Sequence, residues 1–304
     1  MKEDSLGAQS KPMTLGIDIG GSHITAALVD LETGGLIQKP VKRRVVNSAA
    51  PKEEILSAWV EVIKDAFGKD LSGNERIGIA MPGPFDYNNG ISLIKDQEKF
   101  KALYHTNVKL ELAQRLKLQP SAIRFINDAA AFMQGEVTYG SAKGYKIALG
   151  LTLGTGLGSA LVVNGKSKDL ELWDAKFLSG IAEDYLSTRW FVSKYNSLTG
   201  KEVGGVKELA AIVDTDLYAK QVFNEFGRGL GHFLADIIVQ TKAEVVVLGG
   251  NIAQAFHLFA PHVVDNLKAF HLDTAIKITE LNELAALTGA ANCWNIPVAK
   301  SWEI

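Results

Sequence analysis

The chain has 304 residues, of which 47% are hydrophobic and 22% charged, so it is long enough for one large domain or two ordinary ones. Its net charge of -2 gives no electrostatic reason to expect nucleic-acid binding. The single cysteine, Cys293, excludes an internal disulfide and fits a reducing compartment. The sequence contains no apolar run of 18 residues and no signal-peptide pattern at its start. We therefore expect a cytoplasmic protein that does not enter a membrane.

The sequence of the first half of the chain predicts several strands and three helices. The opening dozen residues are polar, and we expect them to be disordered. Apolar segments bounded by glycine turns predict strands at 13–19, 22–30 and 35–46. A helix is predicted at 51–67, then a strand at 76–81 that ends in a Pro-Gly-Pro loop. A helix at 107–118 follows, and then a short strand that runs into a helix near Asp128.

The second half begins with another hairpin, at 146–164, and then repeats the alternation of helices and strands. Helices are predicted at about 180–195, 205–213, 217–241, 252–270 and 283–293, with strands before Gly249 and at 276–279. The same order of elements thus occurs twice along the chain. It predicts an α/β architecture of two similar lobes that flank a cleft, where a ligand would bind.

Two hairpins share one unusual design. Residues 16–30 read "GIDIGGSHITAALVD" and residues 148–163 read "ALGLTLGTGLGSALVV", and in both an apolar strand is interrupted by a glycine-rich turn. An ordinary hairpin would explain the glycines through positive φ angles at the turn. It would not explain Asp18, because an acid inside an apolar strand is costly to bury unless its charge is used. Two glycine turns facing each other predict a phosphate site, with backbone N–H groups close to the ligand.

Other phosphate-binding motifs do not fit this pattern. The dinucleotide fingerprint needs a strand that passes into a helix, whereas both turns return into strands. A P-loop is excluded because Ala160 stands where its first glycine is required before "GKS" at 165–167. The interpretation therefore depends on the paired hairpins, with Asp18 serving the Mg²⁺ that accompanies a nucleotide, through water.

"INDAAAFMQGE" places Asn127 and Asp128 where a strand passes into a helix. Either residue could simply cap the helix, as Asn and Asp commonly do. The functional interpretation makes Asp128 a general base for a substrate hydroxyl in phosphoryl transfer. Both interpretations hold if one residue caps the helix and the other acts in catalysis.

Six motifs occur in the order typical of the ROK family, which contains sugar kinases, bacterial glucokinases among them, and repressors. The motifs are "DIGGSHITAALVD", "MPGPFD", "NDAAAFMQGE", "LTLGTGLGSALV", "VVLGGNI" and "LAALTGAA". The resemblance extends from about residue 13 to residue 292. It implies the actin-like ATPase (ribonuclease H-like) fold and ATP with Mg²⁺ as cofactors.

The resemblance also implies roles for the matched positions. Asp128 matches the catalytic aspartate and Asn127 a sugar-binding asparagine, while Pro82 and Gly83 match a loop near the sugar. The nucleotide-binding positions are Asp18, Gly20, Gly21 and Ser22 in the first phosphate loop, Gly154, Thr155 and Gly156 in the second, and Gly249, Gly250 and Asn251 near the adenosine.

The sequence departs from the family pattern downstream of the second hairpin. In "DLELWDAKFLSGIAEDYLS", Glu171 and Glu183 align with two sugar-binding glutamates, although both could be solvated surface carboxylates. The family histidine is missing, with Asp174 its nearest counterpart, and the zinc-binding cysteines are absent. We therefore expect no thiolate zinc site. Because these departures fall among the sugar-binding positions, they leave the identity of the preferred sugar open.

Together with the motifs, the resemblance implies an ATP-dependent kinase that transfers the γ-phosphate to a hexose hydroxyl, the 6-hydroxyl of a glucose-like sugar, with Asp128 as base. An N-acetylhexosamine kinase and a non-catalytic sugar-binding protein remain alternatives. A repressor needs a DNA-binding module ahead of the kinase-like part, and only about a dozen polar residues precede the first strand. We therefore do not expect this chain to be a repressor. By resemblance we expect a homodimer. The predicted lobes are 13–126 together with 283–304, and 127–282.

Overall fold

The computed structural model describes residues 14–37, 41–68, 71, 73–95 and 99–296. The predicted disordered N-terminus at 1–12 and residues 297–304 of the predicted first lobe lie outside these ranges. Within the described part, strands alternate with helices in a mixed α/β fold, as predicted.

The strands of the described residues are, in chain order, β1 (Thr14–Ile19), β2 (His23–Val29), β3 (Lys42–Val45), β4 (Arg76–Met81), β5 (Phe85–Asp86), β6 (Ile91–Ser92), β7 (Ile123–Asn127), β8 (Ile147–Leu153), β9 (Leu157–Val163), β10 (Lys166–Asp169), β11 (Lys176–Phe177), β12 (Gly180–Ile181), β13 (Val245–Gly249) and β14 (Ala275–Ile278). The α-helices are α1 (Lys52–Phe67), α2 (Val108–Leu116), α3 (Asp128–Tyr139), α4 (Ala182–Tyr185), α5 (Thr188–Thr199), α6 (Val206–Ile212), α7 (Leu217–Thr241), α8 (Phe256–Ala269) and α9 (Leu284–Asn292).

Two five-stranded sheets have the same strand order. The first sheet is β3-β2-β1-β4-β7 and the second is β10-β9-β8-β13-β14. In each, three antiparallel strands are followed by two that continue the sheet in parallel. The repeated order confirms the predicted duplication. The central strands β1 and β8 both end in one of the two glycine turns.

Helices with apolar side chains at helical spacing cover the sheets. Ile55, Trp59 and Ile63 of α1 are buried in the core of the first sheet, and Phe226 and Leu230 of α7 in that of the second. Burying a large apolar side chain is worth about 1.5–3 kcal/mol. This packing fixes the sheets and leaves the carboxyl ends of their strands to form a site.

Helices α3 and α9 pack tightly against each other between the two sheets. A Cβ atom placed at Gly289 of α9 would lie 1.8 Å from the carbonyl oxygen of Ala131 of α3. One placed at Gly78 of β4 would lie 1.9 Å from the carbonyl oxygen of Ala290. Glycine is therefore required at both positions because the backbones approach too closely for any side chain. Through these contacts α9 is held against both α3 and the first sheet.

The buried Glu136 anchors the loop that precedes α9. Its Oε2 accepts from the Ser141 amide at 2.7 Å, and its Oε1 accepts from the Leu281 amide at 3.1 Å and from the Thr279 hydroxyl. A buried carboxylate is tolerated when such donors satisfy it. Glu136 thereby connects the C-terminal half of α3 to the start of α9.

The fold differs from the sequence predictions in three segments. Among the described residues of the strand predicted at 35–46, the regular part is β3, and a bridge between Val29 and Leu36 precedes it. The single helix predicted at 180–195 is two helices, α4 and α5, because the backbone at Ser187 is extended. The second hairpin continues into β10, which the polar residues 166–169 gave no reason to expect.

Candidate active site

The first glycine turn joins β1 to β2 beside Asp18. The Gly20 amide donates to the His23 carbonyl at 2.9 Å, and the exposed residues of the turn include Ser22. Neither Gly20 nor Gly21 has a left-handed φ, so turn geometry does not require glycine, contrary to the ordinary-hairpin interpretation. A Cβ at Gly20 would meet only the His23 oxygen, at 3.7 Å. The turn therefore has an open surface where a ligand can approach the backbone.

The second glycine turn joins β8 to β9 in the same way. The Gly154 amide donates to the Gly156 carbonyl at 3.0 Å, and Thr155 between them is exposed. Again no left-handed φ occurs, and a Cβ at Gly154 would meet no atom within 4 Å. The Gly154 carbonyl accepts from both the amide and the hydroxyl of Thr188, at 2.8 and 3.0 Å. These bonds tie the turn to the start of α5.

Gly249, Gly250 and Asn251 lie beside this second turn, at the carboxyl end of β13. A Cβ at Gly249 would be 2.6 Å from the Phe132 ring, and Gly250 has a φ of 83°. Packing and backbone conformation thus require these two glycines, independently of any ligand. Asn251 is exposed.

Asp18 is the second-last residue of β1, and it lies among other charges. It pairs across the sheet with Thr25, which in turn pairs with Arg43 of β3. The pKa of Asp18 is raised to about 7, mainly by burial and also by the charges of Asp128 and Glu283, while the charge of Arg43 opposes the increase. Arg43 also forms an ion pair with Glu283 at 3.3 Å. Asp18 and Asp128, far apart in sequence, therefore interact electrostatically in one site.

Asn127 and Asp128 differ in their contacts at the start of α3. Asn127 caps α3, with its Oδ1 accepting from the Ala130 amide at 3.0 Å. Asp128 Oδ1 accepts from the adjacent Ala129 amide at 2.9 Å, and the side chain is only partly buried. Because Asn127 provides the cap, the Asp128 carboxylate is not needed for it.

The structure adds Asp169 and Tyr87 to the site. The pKa of Asp169 is raised to about 6, mainly by burial and also by the charges of Asp128 and Glu171, while hydrogen bonds that include one of 2.8 Å from the Glu171 amide oppose the increase. The charges of Asp128, Asp169 and Glu171 also raise the pKa of Tyr87, after the larger effect of burial. Sequence reasoning missed Asp169 because it missed β10, and Tyr87 because nothing nearby pointed to it.

The two aligned glutamates lie in different surroundings. Glu171 is exposed, has a φ of 53°, and is close enough to influence Asp169 and Tyr87. Glu183 lies against the second glycine turn, where its Oε2 accepts from the Leu157 amide at 3.0 Å. Its Oε1 accepts from Arg189 at 2.7 Å.

The loop with Pro82 and Gly83 follows β4 directly. Pro82 is buried, and a Cβ at Gly83 would lie 3.3 Å from the Tyr87 hydroxyl. Tyr87 in turn contacts Asn127, so this loop lies next to the predicted acceptor residues. In the described part of the chain, no group of three or more His, Cys, Asp or Glu side chains could hold a metal ion by itself.

Comparison with known proteins identifies the family. The model of the ROK family matches residues 14–169 and 179–295. The chain belongs to the ROK family.

Among relatives in sequence, the N-acetyl-D-glucosamine kinase of Pectobacterium carotovorum is 26% identical over 267 residues, which cover 79% of this chain and 84% of that protein. The glucokinase of Thermotoga maritima is 26% identical over 313 residues, covering 91% and 96%. The crystal structure of a ROK family glucokinase from Streptomyces griseus, in complex with glucose and AMPPNP, superposes with a TM-score of 0.73 at 23% identity, covering 92% of this chain and 98% of that one.

The structural likeness confirms the predicted actin-like ATPase fold for this ROK chain. Among the residues that the structure describes, no helix is long and apolar enough to cross a membrane.

Proposed function

We propose that the chain is an ATP-dependent sugar kinase that transfers the γ-phosphate to a hexose, at the 6-hydroxyl of a glucose-like sugar. The observation that carries this proposal is that Asp18, beside one glycine turn, and Asp128, at the start of α3, lie close enough for the charge of Asp128 to raise the pKa of Asp18. Sugar kinases among the relatives in sequence support the same reaction class.

The donor would lie across the two glycine turns, with its phosphates against the exposed residues Gly21, Ser22 and Thr155, because the amides of Gly20 and Gly154 already donate within their turns. Clustered N–H groups favour phosphate binding. Asp18 would hold the Mg²⁺ of the nucleotide through water, and the site fits such a cation because the carboxylates of Asp128 and Glu283 both act on the partly buried Asp18, against the opposing charge of Arg43. When bound, Mg²⁺ neutralises charge on the phosphate oxygens.

The acceptor would lie against Asn127, Asp128 and Glu171, with Glu183 on the side of the second glycine turn. Asp128 accepts the hydroxyl proton as the sugar oxygen forms its bond to the γ-phosphorus, and the bond from that phosphorus to ADP breaks. The acidic side chains around Asp128 favour a neutral sugar over an anionic sugar as the acceptor, because they would repel a sugar carboxylate.

An N-acetylhexosamine kinase is the second candidate. It is favoured by the N-acetyl-D-glucosamine kinase relative, which is as similar in identity as the glucokinase. The two candidates share the donor site and the base and differ only in the acceptor. The predicted homodimer is a separate proposal, which light scattering after size exclusion would check.

The test measures ADP release from Mg-ATP with glucose, mannose, fructose, N-acetylglucosamine and N-acetylmannosamine. Asp128→Asn should lower the turnover by about 10²–10⁴-fold while sugar binding by calorimetry and the melting temperature are retained. Asp236→Asn, at an exposed position on α7, is the matched control and should behave as the wild type. Wild-type activity in Asp128→Asn would refute the role of Asp128. No release with any sugar would refute the proposed function.

A further inference from the structure

Tyr87 connects the ends of two neighbouring strands at the acceptor side of the site. Its hydroxyl donates to the carbonyl oxygen of Met81 at 3.1 Å and accepts from Nδ2 of Asn127 at 3.2 Å. Met81 and Asn127 are register partners, at the last positions of β4 and β7. The phenol therefore bridges both strands where the chain enters the site.

These contacts fix the orientation of the Asn127 amide. The Ala130 amide can only donate, so Oδ1 of Asn127 must face it, at 3.0 Å. The Met81 carbonyl can only accept, so the single hydroxyl proton of Tyr87 is directed to it and the Tyr87 oxygen must accept from Nδ2. Two independent contacts thus select the same amide rotamer.

The Tyr87 ring is itself held in place. It packs against Phe85 at a centroid distance of 5.3 Å, and Phe85 packs against Phe125 of β7 at 4.9 Å. Burial, with smaller contributions from neighbouring carboxylates that include Asp128, raises the pKa of Tyr87 well above its usual value. The phenol therefore keeps its proton, and the direction of the hydrogen bonds, throughout the pH range of an enzyme assay.

We propose that Tyr87 is a positioning residue for the acceptor: it holds the Asn127 amide so that one N–H remains to donate to a hydroxyl oxygen of the sugar. This inference rests on the proposed function. Tyr87 acts through Asn127 and is not a proton-transfer group. Its loss should weaken acceptor binding more than it slows the chemical step.

The experiment compares Tyr87→Phe with the wild type on the sugar that gives activity. We expect the acceptor KM to rise about 5–20-fold, the value for loss of one to two hydrogen bonds, with kcat and the KM for ATP within twofold. Tyr139→Phe is the matched control, since the Tyr139 hydroxyl also donates to a backbone carbonyl, that of Leu31, at 2.8 Å. The control should leave all three parameters unchanged.

A double-mutant cycle separates positioning from general stabilisation. Asn127→Ser keeps a capping oxygen for α3 but lacks the amide N–H groups. In that background Tyr87→Phe should change the acceptor KM by less than twofold. Should Tyr87→Phe not fold, hydrogen exchange of the Asn127 side-chain amide in the wild type carries the test, because the N–H that donates to Tyr87 should exchange more slowly than the other, and equal rates would overturn the inference.

An unchanged acceptor KM in Tyr87→Phe, or an equal increase in the Asn127→Ser background, would overturn the inference and leave the proposed function standing. A wild-type protein that neither binds nor phosphorylates any sugar would overturn both.

Discussion

Replacing Asp18 by Asn should stabilise the nucleotide-free protein and at the same time abolish its response to Mg-ATP. The Asp18 carboxyl has a pKa of 3.8 when unperturbed, and burial with the nearby Asp128 raises it to about 7. Between pH 4 and pH 7 the folded chain therefore binds this proton more strongly than the unfolded chain. The free energy of unfolding must then decrease as the pH rises through that interval.

The magnitude follows from the pKa difference. Each pH unit of difference is worth about 1.4 kcal/mol, so the rise from 3.8 to about 7 sets an upper limit of about 4 kcal/mol. Asp18 is only partly buried, and water that reaches the carboxylate reduces this effect. We expect Asp18→Asn to gain about 2 kcal/mol at pH 8 and nothing below pH 4.

The assay is urea denaturation at pH 4, 6 and 8, without nucleotide and then with saturating Mg-ATP. A ligand at 100 times its Kd stabilises the folded state by about 2.7 kcal/mol, and we expect this gain for the wild type and not for Asp18→Asn. Asp236→Asn serves as the control for loss of one carboxylate from an exposed position. The reasoning is wrong if Asp18→Asn is no more stable than the wild type at pH 8, or if it keeps the full gain from Mg-ATP.

Two further predictions concern charge and packing. Glu283→Gln should lower the pKa of Asp18 and Arg43→Gln should raise it, because these neighbours act on Asp18 with opposite signs; NMR titration of the Asp18 carboxyl carbon measures both, and shifts of the same sign would contradict this arrangement. Gly289→Ala should destabilise the protein by about 3 kcal/mol, since its Cβ would lie 1.8 Å from the Ala131 oxygen, and an unchanged melting temperature would mean that α3 and α9 can separate at little cost.

Sequence patterns predicted the elements whose side chains follow a strict period. α1 and α7 begin and end within a residue of the predicted limits, because their apolar faces repeat at helical spacing and are buried. The limits of β3 and the presence of β10 were not predicted, because "KRRV" and "KSKD" are polar edge strands that form only by pairing with β2 and β9. The local sequence does not indicate with which strand such a segment pairs.

The residues of the candidate site divide in the same way, into those that local sequence indicates and those that only the fold brings together. Asp18 and Asp128 could be predicted as site residues because Asp18 lies next to two glycines and Asp128 directly follows a strand. The contribution of Asp169 depends on β10, and that of Glu283 depends on α9 returning to the first sheet. The hydrogen bond between Tyr87 and Asn127 spans 40 positions, and only the fold brings the two together. Contacts of this kind are tertiary, so periodicity and motif spacing could not indicate them.

The duplicated sheets have an electrostatic consequence. Asp18 and Thr152 are the second-last residues of the two central strands, and each is paired on both sides in the same pattern. One half of the molecule therefore presents a carboxylate where its counterpart presents an alcohol. For the proposed nucleotide donor, a carboxylate in both halves would place two negative charges near its phosphates, and an alcohol in both would remove the acid proposed to hold Mg²⁺. The difference at this one pair of positions leaves an acid next to the first glycine turn and an uncharged alcohol at the equivalent place before the second.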